Sequence, residues 1–236
     1  DDAFEPAVLA AFRSAAAERP EAPAAHIHLS RAYLAHDEPE RALETLRDAV
    51  EANPRSRELL TALARLYAGR NEADRAAAVL EDLLEAFPDD HLSRAALGDL
   101  RMLLGDRAGA EAAYRGIVVR APRLPLGYLK LGGHYELQDR HADALQTLHL
   151  GLVEVPEPAA LLHALVQIHL RRGELDQALV EVQEAVAADP ADALAQNLLG
   201  DVLLARKEYE ASEKAYRHAM ALNPLWQGPH NGLARL

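Results

Sequence analysis

Seven prolines stand at one spacing along this chain: Pro20, Pro54, Pro88, Pro122, Pro156, Pro190 and Pro224, each 34 residues after the one before. Nine residues beyond each proline comes a leucine, giving Leu29, Leu63, Leu97, Leu131, Leu165, Leu199 and Leu233. A period of this length without a slip marks a stack of supersecondary units, each burying its apolar face against its neighbours. It divides the sequence into a partial unit at 1–22, six full units at 23–56, 57–90, 91–124, 125–158, 159–192 and 193–226, and the start of another at 227–236.

Each unit reads as two helices joined by a polar turn. In the fifth, 158–172 is the first helix, Gly173-Glu174 the turn and 175–189 the second helix. Gly173 suits the positive φ that ends a helix, and Asp176 places negative charge near the next N-terminus. Pro190 then stops the second helix, because proline disfavours the α conformation in the residue before it. Asp37, Asn71, Gly105, Asp139 and Lys207 hold the turn position in the other units. Helices this short are marginal alone in water, so packing must supply most of their stability.

The packing pattern is small against large. Early in the second helix run Val8, Ala42, Ala76, Ala110, Ala144, Ala178 and Ser212; four residues later come Phe12, Leu46, Leu80, Tyr114, Leu148, Val182 and Tyr216. In the first helix the residue after the constant leucine is Ser30, Ala64, Gly98, Gly132, Val166, Gly200 or Ala234, and three residues on stand Tyr33, Tyr67, Arg101, Tyr135, His169 and Leu203. Fixed small and large offsets let neighbouring helices interdigitate at about 8–10 Å.

Leu131-Gly132-x-x-Tyr135, then Ala144-x-x-x-Leu148, then Pro156, with Tyr216, Ala219 and Pro224 in the last full unit, resembles the tetratricopeptide repeat. The resemblance covers essentially the whole chain. It implies an all-α fold, a right-handed α-solenoid of antiparallel helix pairs with first helices on the concave side. The family's early tryptophan is missing: His26, Leu60, Arg94, Tyr128, Leu162, Gln196 and His230 stand in its place, and looser packing within each unit is expected there.

Composition narrows the function. Half the residues are apolar, 5% are aromatic, and the apolar residues fall in broken stripes. No run approaches the ~20 residues that span a bilayer, so direct membrane insertion is not expected. The formal charge of −12 argues against nucleic acid as partner. Without cysteine there is no thiolate nucleophile or thiolate metal site. The histidines carry no metal pattern: His26 and His28 diverge on a helix, as do His163 and His169, the latter filling the tyrosine slot. There is no nucleophile elbow and no phosphate loop. No catalytic residue, metal or cofactor is expected. Gly132 fits the close-packing slot, whereas Gly133 costs a helix about 1 kcal/mol against alanine, which a closely approaching partner backbone would justify.

The resemblance implies that ligands are extended or helical peptide segments held in the concave groove. Carried over position by position, the groove residues are Arg31, Arg65, Asp99, Gly133, Gln167 and Asp201 at the ninth position, with His163 and Asn197 among those at the fifth. Met102, Leu126, Leu129, Lys130, His134 and Leu137 complete the candidate peptide-binding set, and Ile27, Leu34, Glu58 and Thr61 share the same face. The lysine and asparagine set with which co-chaperone relatives grip a C-terminal carboxylate is missing. So is the asparagine ladder of sugar-transferring relatives, since only Asn197 and Asn231 face inward. What remains is a mixed groove with Arg31 and Arg65 one repeat apart, suited to a partner segment carrying acidic groups and apolar anchors. Glu58 is the internal carboxylate that could satisfy these arginines instead.

The function expected is therefore a non-catalytic protein–protein interaction scaffold. The alternatives are the regulatory or substrate-presenting repeat region of a longer enzyme, such as a transferase, and an envelope or secretion assembly scaffold. Ala7, Val8, Ala11 and Phe12 at one end, and Leu225, Trp226, Leu233 and Leu236 at the other, are apolar where capping repeats are polar. A longer parent protein and end-to-end self-association are expected from this. Arginine outnumbers lysine 22 to 3, which points to a high-GC bacterial source. Compartment, cytoplasmic or periplasmic, is left open.

Overall fold

The computed structural model of the chain describes residues 4–236, with side chains from Val8 onward. Asp1–Ala3, at the head of the expected partial unit, and the side chain of Ala7 lie outside the described residues. The described residues form helices and turns with no strand. The chain divides into two compact units, Asp1–Arg120 and Ala121–Leu236.

The first unit contains α1 (Phe4–Glu18), α2 (Pro23–Ala35), α3 (Pro39–Ala52), α4 (Arg57–Gly69), α5 (Ala73–Ala86), α6 (His91–Leu103) and α7 (Arg107–Arg120). The second contains α8 (Pro125–Glu136), α9 (His141–Glu154), α10 (Ala159–Arg172), α11 (Leu175–Ala188), α12 (Ala193–Ala205), α13 (Tyr209–Leu222) and the short α14 (Gln227–Leu233). Starts are set locally. Proline occupies the opening of α2, α3 and α8, where its missing N–H costs nothing. Ser56, Asp90 and Asp192 accept first-turn N–H groups at the heads of α4, α6 and α12.

Each first helix ends the same way. Asp37, Asn71, Gly105, Asp139, Gly173 and Lys207 all have φ between 57° and 80°. The N–H of the next residue then reaches back five residues, Glu38 to the Tyr33 carbonyl and Glu72 to that of Tyr67, both at 2.9 Å. Arg140 to Tyr135 (3.0 Å), Glu174 to His169 and Glu208 to Leu203 (both 2.9 Å) repeat it. This Schellman closure satisfies an orphaned carbonyl and turns the chain into the second helix.

The two helices of a pair meet at residues with almost no side chain. Ala42, Ala76, Ala110, Ala144, Ala178 and Ser212 are each fully buried. The backbones come close enough for hydroxyls to reach the facing helix: Ser30 donates to the Ala42 carbonyl at 3.1 Å and Ser212 to that of Gly200 at 2.8 Å. Leu46, Leu80, Tyr114, Leu148, Val182 and Tyr216 fill the space beside them, all buried. Burial of such side chains contributes roughly 1.5–3 kcal/mol each, more than the helices' own propensity supplies.

In the tryptophan slot Leu60, Tyr128, Leu162 and Gln196 are buried, His26 and Arg94 half-buried and His230 exposed, so the expected looser packing is absent at four of the seven positions. Tyr128 is 1% exposed, Leu60 3% and Gln196 5%. Four of the seven donate to the carbonyl of the periodic proline six residues earlier. His26 reaches Pro20 at 2.9 Å, Arg94 reaches Pro88 at 2.7 Å, Tyr128 reaches Pro122 at 2.9 Å and Gln196 reaches Pro190 at 3.3 Å. A proline carbonyl at a helix exit has no helical donor of its own, so any side chain of suitable length can tie one unit to the next.

At the N-terminal end Phe12 is half-buried and stacks on the His28 ring, centroids 5.6 Å apart, while Ala11 is exposed. At the other end Leu225 is 91% exposed and Trp226 and Leu233 are half-buried.

The turn geometry yields a clean test. No atom lies within 4 Å of a Cβ built on Gly173, whose φ is +72°. Gly173→Ala should therefore pay only the conformational cost of the left-handed region, about 1 kcal/mol, lowering Tm by ~2–4 °C. Lys207→Gly, with φ of 64° in the native chain, should go the other way by less, since the glycine also loosens the unfolded state. Thermal melts of both variants check the pair.

Candidate functional site

In the first unit a cavity of about 730 Å³ opens between α2 and α4, with Pro39 and Leu46 contributing from α3. Arg31 and Arg65 both line it, and so do Ile27, Leu34, Glu58 and Thr61 from the same predicted face. The periodicity places them there: ninth-position residues of successive first helices come side by side when α2 packs beside α4. Leu34, at 43% exposure, leaves apolar surface in contact with water, while Leu46 and Leu66 form the buried wall. Arg57 and Arg70 also line the cavity and were missed by the position-by-position reading. They precede and follow the stretch of α4 that repeat positions single out, so only the folded unit brings them in.

The charges around this cavity are unequally matched. Arg57 is paired with Asp90 at 3.4 Å and lies over the Phe87 ring, 4.8 Å from its centroid. Arg70 is held by Glu72 at 2.7 Å and Glu40 at 2.8 Å. Hydrogen bonds donated to these two carboxylates, Glu72 first, hold its guanidinium above the ordinary arginine value. Glu58 accepts the Ser56 hydroxyl at 3.1 Å and pairs with neither groove arginine. Arg31 and Arg65 are exposed and make no hydrogen bond or ion pair among the described residues. Both therefore lack a carboxylate partner among the described residues, in a chain of net charge −12.

The remaining candidates fall into distinct situations. Asp99 in α6 accepts the Tyr114 hydroxyl at 2.7 Å, and Met102 is half-buried. In the second unit Leu126, Leu129, Lys130 and Gln167 are half-buried, and Gly133, Leu137 and His163 are exposed. His134 departs from the expectation of a presented side chain: it is 2% exposed, with Gln138 Nε2 at 2.5 Å from its Nε2. Asn197 is likewise buried, at 8%. Gly133 has φ outside the left-handed region and nothing within 4 Å of a built Cβ. Neither backbone conformation nor packing within the chain calls for glycine there. His169 is buried in the tyrosine slot, its Nδ1 2.8 Å from Glu174. That bond, then the one from Arg172, holds the Glu174 carboxyl below the usual range.

A signal for the aspartates was present in the sequence and went unread. Gly98-Asp99 pairs with Tyr114, and Gly200-Asp201 pairs with Tyr216, at the same offset. A Cβ on Gly98 would lie 2.3 Å from the Tyr114 ring, and one on Gly200 2.5 Å from the Tyr216 ring. The glycine makes room for the ring, and the next residue accepts its hydroxyl, at 2.7 Å in the first case and 2.9 Å in the second. Ninth-position aspartates therefore anchor second helices.

Around Asp201 a polar cluster has formed. Its Oδ1 takes Tyr216, with Arg235 3.6 Å away, and its Oδ2 takes the Asn197 amide at 3.2 Å. The carboxylate dictates which way that amide points, and Asn197 Oδ1 is left buried without a donor. Burial raises the Asp201 carboxyl above the ordinary aspartate range, against the opposing pull of Tyr216, Arg235 and His163. The Tyr216 phenol is also pushed up, by burial and then by Asp201. Among the described residues no three His, Asp or Glu side chains gather as a metal-binding set. Nor is any described helix long and apolar enough to cross a membrane.

Family models described as tetratricopeptide repeat match residues 6–66, 37–100 and 163–224, together well over half of the chain. The chain belongs to the tetratricopeptide repeat family, whose helical repeats serve as protein-interaction scaffolds and are typically non-catalytic. Solved structures share the fold at low identity. One is the C-terminal part of a TPR repeat-containing protein from Cytophaga hutchinsonii, with 12% identity, TM-score 0.61, and 98% of this chain and 95% of that one covered. A tetratricopeptide repeat protein from Parabacteroides merdae gives 16% and 0.56, covering 100% and 93%. PilF of Pseudomonas aeruginosa gives 17% and 0.55, covering 93% and 100%. A search of curated proteins finds no match.

The Asp201 cluster generates a pH prediction. The folded-state pKa lies above the unfolded value of about 3.9, so the native state binds the proton more tightly. Stability from this group is then greatest below about pH 4 and is lost as pH rises through the folded value. Asp201→Asn keeps an acceptor for Tyr216 and removes the charge. It should raise stability at pH 7 and flatten the pH dependence above pH 4, measured by urea unfolding across pH 4–8. A variant less stable than the parent at pH 7 would show that the charge is worth more to Arg235 than its burial costs.

Proposed function

We propose that this chain is a non-catalytic scaffold that holds a peptide segment of a partner protein on its first-helix face, with the cavity between α2 and α4 as a principal contact. The observation that carries this reading is the cavity's composition: apolar walls from Ile27, Leu34 and Leu66 beside two exposed arginines that have no carboxylate partner among the described residues. Apolar surface supplies affinity, and a few placed charges supply orientation. The partner segment carries acidic groups toward Arg31 and Arg65 and an apolar side chain between them. Gly133, Leu137, Gln167 and His163 extend candidate contact surface in the second unit, and the bare Gly133 backbone suits close approach of a partner chain.

Reversing the charges tests the reading. Arg31→Glu with Arg65→Glu should lower binding to acidic members of an immobilised peptide library by at least tenfold, about 1.4 kcal/mol. Arg47→Glu with Arg55→Glu, an equal change in net charge at exposed positions off the cavity, should change it little. If the two double variants lose binding equally, net charge and not the cavity governs the interaction.

A further inference from the structure

We draw no further inference here: the strongest candidate, the side-chain cluster of Asn197 and Asp201 on α12 with Asn197 Oδ1 buried and without a donor among the described residues, belongs to the polar cluster already described, where Tyr216 and the Asn197 amide engage the carboxylate, and nothing in the structure shows a group that reaches the remaining acceptor.

Discussion

Close approach of the two helices in each pair is the constraint on which the rest of the molecule depends. It requires a side chain no larger than a methyl or hydroxymethyl group at one point, and Ala42, Ala76, Ala110, Ala144, Ala178 and Ser212 supply it with complete burial. Once the backbones are that near, the larger residue a turn later has a fixed space to fill. Where it is leucine or valine, the facing residue is Ser30, Ala64, Gly132 or Val166; where it is tyrosine, the facing residue is Gly98 or Gly200. The exchange of bulk between facing positions keeps the spacing constant while the chemistry varies.

The turns and prolines convert one packed pair into a stack. A left-handed residue after each first helix fixes the reversal, and a carbonyl five residues before the next N–H closes it. Proline ends the second helix, and its carbonyl then serves as an acceptor for the following unit. In four repeats the acceptor is the same while the donor differs: imidazole, guanidinium, phenol and amide all occur, and buried Leu60 and Leu162 fill the slot in two others. This explains how the chain dispenses with a tryptophan at that position and still packs tightly.

Function then rests on which groups the packing leaves unused. Several arginines in the first unit are occupied by carboxylates of neighbouring helices, as with Arg70 and Arg101. Arg31 and Arg65 line a gap in which no described carboxylate pairs with them, beside Leu34, which remains partly wet. Under the proposed reading these two cations, unpaired among the described residues and set beside apolar surface, would complement an acidic partner segment.

Repeat length, helix pairing, turn residues and the small and large positions were all legible in the sequence, because a strict period makes each unit a replicate of the next. That Arg31 and Arg65 share a face followed from the same register. Which groove residues are available did not follow, because availability depends on contacts between residues far apart in the chain. Asp99 and Asp201 are taken by tyrosines fifteen residues on, His134 and Asn197 are buried, and Glu58 is turned toward Ser56. Arg57 and Arg70 enter the cavity from outside the repeat positions. The sequence by itself determined the all-helical repeat and its register, since backbone stereochemistry and periodic burial are local and repeated. Only the tertiary structure decided which charges were already spent on one another, because ion pairing and burial are properties of neighbours in space.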